Sequence, residues 1–451
     1  MKRSLCCALA LLLCLTCAGA AAGDVSLYVY GKGGAGEWDN PVLEKENPDL
    51  SWSGGDSLGS GVTDIVQALT ARQPYDLYAI NYVDGDFQEI VAKGFARDLS
   101  VYPELAEFAA SLRPFLREAV TVDGKLYGIP IRVFGSQCAY SPQAFKLAGL
   151  SEEVVPSTYE AFLDFLAERL EEGVDGDVHL VYGTANLRGD LANRITRAFI
   201  DRYYSAPVPE RFSSPEILRV YEKLDALDTS RLDEYLSSLQ EGDQYGEPTL
   251  FAMAYDVTKL ETDEAFRDFQ PMILKVDERE EPRVPVQIRL FFISADSPHP
   301  DEAALYLQTY LRGLDGAFTI AACEGPHAPL EDAFARRELD AERSALEELR
   351  AVQPADDAQA EEIAGRIEQA EARINRLEAG RWRVSEADIE AYEAREGMFY
   401  VPAYHPLGSP ESEGYRSVQM LIDQYAARQL DARAFTAALD QKLEIIALEG
   451  R

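Results

Sequence analysis

The sequence predicts an α/β protein whose sheet is mostly parallel and covered by helices. Three observations carry this. Beyond an N-terminal leader, segments alternate as strand, loop, helix, strand, helix, strand, helix, a rhythm that builds parallel sheets. The chain has 451 residues, 47 % apolar and 27 % charged, an ordinary globular composition with room for two or three domains. Residues 331–380 carry a heptad pattern of their own, which reads as an inserted antiparallel helical hairpin.

The elements follow from the residues in order. Residues 25–30 (VSLYVY) alternate with the period of a strand. A glycine-rich loop at 31–36 follows, then a helix within 37–46 that Asn47, Pro48 and Asp49 stop. Residues 50–52 and 75–80 read as further strands. Residues 62–69 and 87–95 read as helices, the first from Val62, Ile65, Val66 and Leu69 at helical spacing. Asp123 and Gly124 make a turn, and 126–133 is extended. Ser157 is expected to cap a helix over 157–170, with Glu160 in the capping-box position and Phe162, Phe165, Leu166 and Leu170 on one face. Helices over 193–204, 214–227, 232–239 and 300–311 and strands over 249–255 and 284–294 fill the middle of the chain. In the hairpin, Leu339, Leu346 and Leu349, then Ile363, Ile367, Ala370, Ile374 and Leu377, form two apolar seams. A break at 353–357 separates them, leaving arms of roughly 30 Å at 1.5 Å per residue. Residues 415–448 are again helical.

Lys2 and Arg3, an apolar run over 5–17 and small residues over 18–22 make the pattern of a secretory signal peptide, assigned to residues 1–22. The chain is therefore expected to be exported. Cys14 and Cys17 lack a full lipobox, so a lipid anchor stays open. Cys6, Cys7, Cys14 and Cys17 fall in this leader, which leaves Cys138 and Cys323. Two thiols in an exported chain either pair or sit as small buried residues, and their spacing leaves both open.

Asp plus Glu number 78 against 43 Lys plus Arg, a net charge of −35. Sequence-independent nucleic-acid binding needs a basic footprint, and docking on anionic lipid needs basic patches. The composition argues against both. The hairpin holds 14 acidic and 7 basic residues, contributing 7 − 14 = −7, so the acidity belongs to the whole surface.

Several motifs suggest chemistry and fall short of it. Gly31, Gly33 and Gly36 match G-x-G-x-x-G after a strand, but the region where a dinucleotide site requires an acidic residue reads Trp52-Ser53-Gly54-Gly55. Gly55-Asp56-Ser57-Leu58 resembles the nucleophile block of GDSL-type hydrolases, and Asp296 to His299 their Asp-x-x-His block. A serine esterase using Ser57 and His299 is the alternative function. Against it, the family's Gly-x-Asn-Asp oxyanion block is missing, and about 150 residues follow His299 where the family ends. His179, His299, His327 and His405 stand apart from one another and from any cysteine pair, so no metal is expected. No catalytic residue and no cofactor is assigned.

A resemblance covers most of residues 40–310. In fixed order, the segments 42–50 (VLEKENPDL), 74–80 (PYDLYAI), 93–100 (KGFARDLS), 123–130 (DGKLYGIP), 141–150 (SPQAFKLAGL), 156–162 (PSTYEAF) and 293–303 (ISADSPHPDEA) resemble the extracellular solute-binding proteins of ABC importers, the sugar-associated family 1 type. The octapeptide at 123–130 is the most specific. The resemblance implies a two-lobe, type II periplasmic-binding-protein-like fold. Its N-terminal lobe would be 24–131 with 286–318, and its C-terminal lobe 132–285 with 319–451, carrying the hairpin at 331–380. It implies a non-catalytic receptor, expected to be monomeric, that takes a small solute, with carbohydrate as the first expectation, in an interlobe cleft and delivers it to a membrane permease. Open α/β sheets bind ligands beyond the carboxyl ends of their strands. That places Trp38, Asn81, Tyr82, Asp84, Arg132, Phe134, Tyr140 and Tyr255 as candidate ligand contacts, aromatic faces for sugar rings and polar groups for hydroxyls. The same resemblance reads the segment around His299 as a helix start, with Asp301 and Glu302 at its positive end.

Overall fold

The structure, a computed structural model, describes residues 25–31, 39–56, 65, 68–72, 75–82, 87–172, 178–182, 184, 186–205, 210–230, 233, 248–258, 260, 269–278, 281–354, 356–402 and 413–449. They form two compact units. Unit 1 holds the described residues up to Ala110, with Val120–Pro130 and Arg289–Leu314; unit 2 holds Ser111–Ala119, Ile131–Ile288 and the described residues from Asp315 onward. Among the described residues no helix is long and apolar enough to cross a membrane.

The chain opens with strand β1 (Val25–Gly31), in which Leu27 and Val29 are buried and Tyr28 is exposed. Asn40 then caps helix α1 (Pro41–Glu46), accepting from Leu43 N–H at 3.0 Å. Proline suits the first position because its missing N–H would have no helical partner there. The helix is shorter than the pattern suggested, since Asp39 and Asn40 stand outside it. Strand β2 (Leu50–Asp56) runs parallel to β1 with Val25 opposite Leu50. Strand β3 (Leu77–Asn81) is parallel to β1 on its other side and is buried on both faces over its first four residues, as a central strand covered by helices should be. Helices α2 (Phe87–Ala92), α3 (Pro103–Ser111) and α4 (Pro114–Val120) follow.

Strands β4 (Thr121–Val122) and β5 (Lys125–Leu126) make a two-residue hairpin. Asp123 and Gly124 turn it with φ of 51° and 76°, the left-handed pair that an Asp-Gly turn supplies at low cost. Strand β6 (Ile129–Phe134) starts in unit 1 and ends in unit 2.

Unit 2 continues with β7 (Ser136–Tyr140) and helix α5 (Pro142–Leu147), capped by Ser141. Helix α6 (Tyr159–Glu172) is capped by Thr158, whose hydroxyl accepts from Ala161 N–H at 3.1 Å. The expected cap, Ser157, lies one residue too early. Its carbonyl instead accepts Lys275 N–H, and Glu160 faces Arg219. The predicted face of α6 holds: Phe162, Phe165 and Leu166 are buried, and Leu170 packs against them. Next come β8 (His179–Tyr182), α7 (Leu187–Ser205), α8 (Pro215–Ala226), β9 (Thr249–Asp256) and β10 (Gln270–Met272). They build a sheet of order β10-β7-β9-β8, with β8 parallel to β9 and the other pairs antiparallel. Phe251 of β9 meets Phe145, Phe162 and Phe165 edge-on at 5.0 to 5.5 Å, the arrangement that aromatic quadrupoles favour.

Strands β11 (Val284–Pro285) and β12 (Gln287–Ile293) return the chain to unit 1, where β12 lies antiparallel to β3. The unit 1 sheet has the order β2-β1-β3-β12-β6. Helices α9 (Pro300–Arg312) and α10 (Gly316–Ala322) and strand β13 (Leu330–Glu331) lead into α11 (Ala333–Ala351) and α12 (Asp357–Ala379). These two form the expected hairpin. Leu339, Leu346 and Ile374 make a small core of their own, and Arg343–Glu378, Arg350–Glu371 and Arg373–Glu342 pair across it. Strand β14 (Trp382–Val384) closes the base against β13. Helix α13 (Glu386–Glu396), strand β15 (Phe399–Tyr400) beside β11, and helices α14 (Glu413–Ala426) and α15 (Ala432–Glu449) finish the chain. The expected single helical run over 415–448 is thus two helices. Arg428, at a φ of 57°, lies in the turn between them. The helices expected at 62–69 and 232–239 fall mostly outside the described residues.

Candidate ligand-binding site

In unit 1 the parallel strands β1, β2 and β3 end at Gly31, Asp56 and Asn81. At this carboxyl edge Asn81 Oδ1 accepts from Arg289 Nε at 3.1 Å, and the two residues face each other in the β3–β12 ladder. Side-chain amide and guanidinium therefore stand together where ligands meet open sheets. Tyr82 departs from the expectation. It is 3 % exposed, its ring lies 5.9 Å from Phe87, and its hydroxyl accepts from Gln88 at 2.9 Å. Phe87 N–H also bonds to Tyr82 C=O. The join between β3 and α2 folds Tyr82 into the core, so it offers no open face. Trp38, Asp84 and the glycine loop beyond Gly31 lie outside the described residues.

In unit 2 the parallel pair β8 and β9 ends at Tyr182 and Asp256. Tyr255 stands at that end, opposite Gln137. The chain arrives from β6 through Gly135, which is bound tightly to the end of β9. Asp256 Oδ1 accepts from Gly135 N–H and Thr258 N–H, both at 3.0 Å, and from Thr258 Oγ1 at 2.7 Å. Gly135 C=O accepts Val257 N–H at 2.9 Å. A Cβ at Gly135 would lie 3.3 Å from Thr258 and Val286, closer than such contacts tolerate without a shift. This stitch brings the end of β6, with Arg132 over the Phe134 ring at 5.8 Å, to the same end of the unit as Tyr255.

Tyr140 does not join them. It pairs with Phe251, four residues up β9 from Tyr255, or about 13 Å at strand rise. Its hydroxyl donates to Glu152 at 3.0 Å and its ring meets Phe145 edge-on. Burial, then the Glu152 hydrogen bond and charge, push its phenol above the ordinary value. The antiparallel direction of β7, which the sequence does not reveal, sends Tyr140 to the far end of the sheet.

Other side chains at the Tyr255 end carried no sequence signal. Arg194 of α7 donates to Met253 C=O and to Ser136 Oγ. Arg283 lies over the Tyr400 ring at 4.0 Å. Burial presses the pKa of Arg395 on α13 down, and the nearby phenols of Tyr255 and Tyr392 act against that shift. Each arrives from a distant segment, so local spacing could not find it.

The hydrolase alternative finds no geometry here. Ser57 lies outside the described residues. His299 is the N-cap of α9, with its backbone N–H on Ser297 Oγ. Asp296 pairs with Arg72 at 3.6 Å. The segment is a helix start with Asp301 and Glu302 in the first turn. Among the described residues no group of His, Cys, Asp and Glu could hold a metal. Cys138 and Cys323 are both free and buried, which settles the pairing left open by their spacing.

The two sheets and the strands that pass from one unit into the other make the fold of the substrate-binding proteins of ABC transporters. No family model and no curated protein sequence matches the chain. Solved structures match it along nearly its whole length. The ABC substrate-binding protein of Listeria monocytogenes in complex with cycloalternan aligns at a TM-score of 0.53 and 14 % identity, covering 94 % of this chain and 99 % of that one. The maltose-bound MalE3 of T. maritima aligns at 0.56 and 15 %, covering 93 % and 99 %. An ABC transporter solute-binding protein of Agrobacterium vitis with bound D-mannitol aligns at 0.52 and 15 %, covering 94 % and 99 %.

Proposed function

We propose that this protein is an exported, non-catalytic receptor that captures a small carbohydrate and delivers it to the permease of an ABC importer. The observation that carries the reading is the whole-chain likeness to solved proteins holding cycloalternan, maltose and D-mannitol. The side chains at the carboxyl ends suit that ligand. Within unit 2, Phe134 and Tyr255 offer aromatic faces to a sugar ring and Arg132 a polar group to hydroxyls; within unit 1, Asn81 and Arg289 offer polar groups of the same kind.

A thermal-shift screen over mono-, di- and oligosaccharides tests this. Binding to the native state alone stabilises it by about 2.7 kcal/mol at a hundredfold excess over Kd, so a ligand raises Tm in a saturable way, and Tyr255→Ala weakens the shift. A flat response to every carbohydrate class, with Ser57-dependent hydrolysis of a p-nitrophenyl ester, would sink the reading in favour of the esterase.

A further inference from the structure

Among the described residues, the Tyr255 end of unit 2 holds a guanidinium with no ion-pair partner. Arg395 Nε is buried and has no hydrogen-bond partner. Among the described residues no carboxylate pairs with its guanidinium. The more deeply buried Arg113 and Arg188, by contrast, are each ion-paired, with Glu396 and Asp225. The acids nearest to hand are already engaged. Glu396, the next residue, is turned to Arg113. Asp256 has its Oδ1 occupied by Gly135 and Thr258.

Among the described residues, two further arginines at this end also have no carboxylate within ion-pair distance. Arg283 rests on the Tyr400 ring, and Arg194 is held by a carbonyl and a hydroxyl. The backbone joins these groups into one neighbourhood. Val284 N–H bonds to Met398 C=O and Val286 N–H to Tyr400 C=O. Val286 in turn faces Gly135, beside the end of β9. Positive charge therefore gathers at one edge of a molecule whose net charge is −35.

We propose that the carbohydrate bound at this edge is acidic, a uronate-bearing sugar whose carboxylate is received by Arg395 while its ring lies against the aromatic faces of Tyr255 and Phe134. This rests on the carbohydrate reading above and narrows it. A partly buried, unpaired guanidinium is costly, and a planar carboxylate is the ligand group that its fork of donors fits. The ligand completes a charge pair that the protein leaves half made.

Isothermal titration of the full mature chain with galacturonate and glucuronate mono- to trisaccharides, against the matched neutral galactose and glucose series, decides the matter. The expected result is at least tenfold tighter binding of a uronide than of its neutral counterpart. That preference should weaken as salt is raised and be lost in Arg395→Met, with Arg395→Lys between. If Arg395→Met fails to fold, the uronide-over-neutral ratio and its salt dependence in the native protein decide alone. Neutral sugars binding as tightly as uronides, or a uronide preference unchanged in Arg395→Met, overturns the inference and leaves the carbohydrate receptor standing. Silence from both series overturns the two together.

Discussion

Asp440 on α15 and Ser213, 227 residues earlier, are joined twice: the carboxylate accepts the Ser213 N–H at 3.0 Å and its hydroxyl at 2.5 Å, and the other carboxylate oxygen accepts Phe212 N–H at 2.7 Å. This one side chain fixes the entry to α8 against the last helix. Asp440→Ala leaves buried N–H groups without an acceptor, at about 1–3 kcal/mol each. The expected outcome is a loss of roughly 2–4 kcal/mol in the urea unfolding of unit 2, with Asp440→Asn recovering part of it. A change below about 0.5 kcal/mol would show that water replaces the carboxylate freely.

In unit 1, Asn40 plays a similar part with both ends of its amide. Its oxygen caps α1, and its nitrogen donates to Tyr306 C=O at 2.9 Å and Thr309 Oγ1 at 3.0 Å. Asn40→Ala should cost about 2–3 kcal/mol, the cap and the buried acceptors together. Asn40→Asp keeps the cap but presents a carboxylate to a carbonyl with no proton to donate. It is expected to destabilise at least as much as alanine in chemical denaturation, and a milder Asp variant would contradict this assignment of the amide.

Glu160 accepts from Arg219 at 2.9 and 3.1 Å and sits 3.4 Å from Lys223. The Arg219 hydrogen bond, with Lys223 adding to it, holds its carboxyl below the ordinary carboxylate value. A depressed pKa in the folded state gives stability that is present above the unfolded pKa and lost as pH falls through the folded one. The pair is exposed to solvent and screened, so its contribution is small. Glu160→Gln should therefore be less stable than the native protein at neutral pH, and the gap should close as pH drops below the ordinary carboxylate range. Thermal melts across that range would refute the pairing if the gap stays constant.

The hairpin of α11 and α12 carries its own core and its own ion pairs, and its two ends meet where Asp332 N–H bonds to Arg381 C=O at 2.8 Å. Replacing residues 333–380 with a short Gly-Ser turn should leave far-UV signal per remaining strand residue unchanged and shift Tm by only a few degrees. A Tm collapse on excision would mean that the arms support unit 2 after all.

What the sequence made legible was local. The alternation in β1, the Asp-Gly turn, the apolar face of α6 and the two heptad seams each lie within a few residues, and each appears as expected. The α6 cap slipped by one because Ser157 and Thr158 carry the same chemistry, and only the bond from Lys275 N–H to Ser157 C=O chooses between them. The site was half legible. Asn81, Phe134 and Tyr255 could be placed by strand ends. Tyr82 and Tyr140 could not, since a turn into α2 and the direction of β7 decide where they point. Arg395 was invisible, because only the folded chain turns its neighbour Glu396 toward Arg113 and leaves the Arg395 Nε without a partner.

Strand β12 has one further consequence, for the order of events as the chain is made. Arg289 meets Asn81 although the two are 208 positions apart in the chain, and β12 fills the place between β3 and β6. A growing chain that has released β1, β2 and β3 still holds an open row of backbone groups along β3, with no partner until β12 emerges. Nearly all of 131–288 must leave the ribosome before unit 1 can close. Unit 1 thus stays unfinished through most of the synthesis, and its β3 edge is the last part of that sheet to be covered.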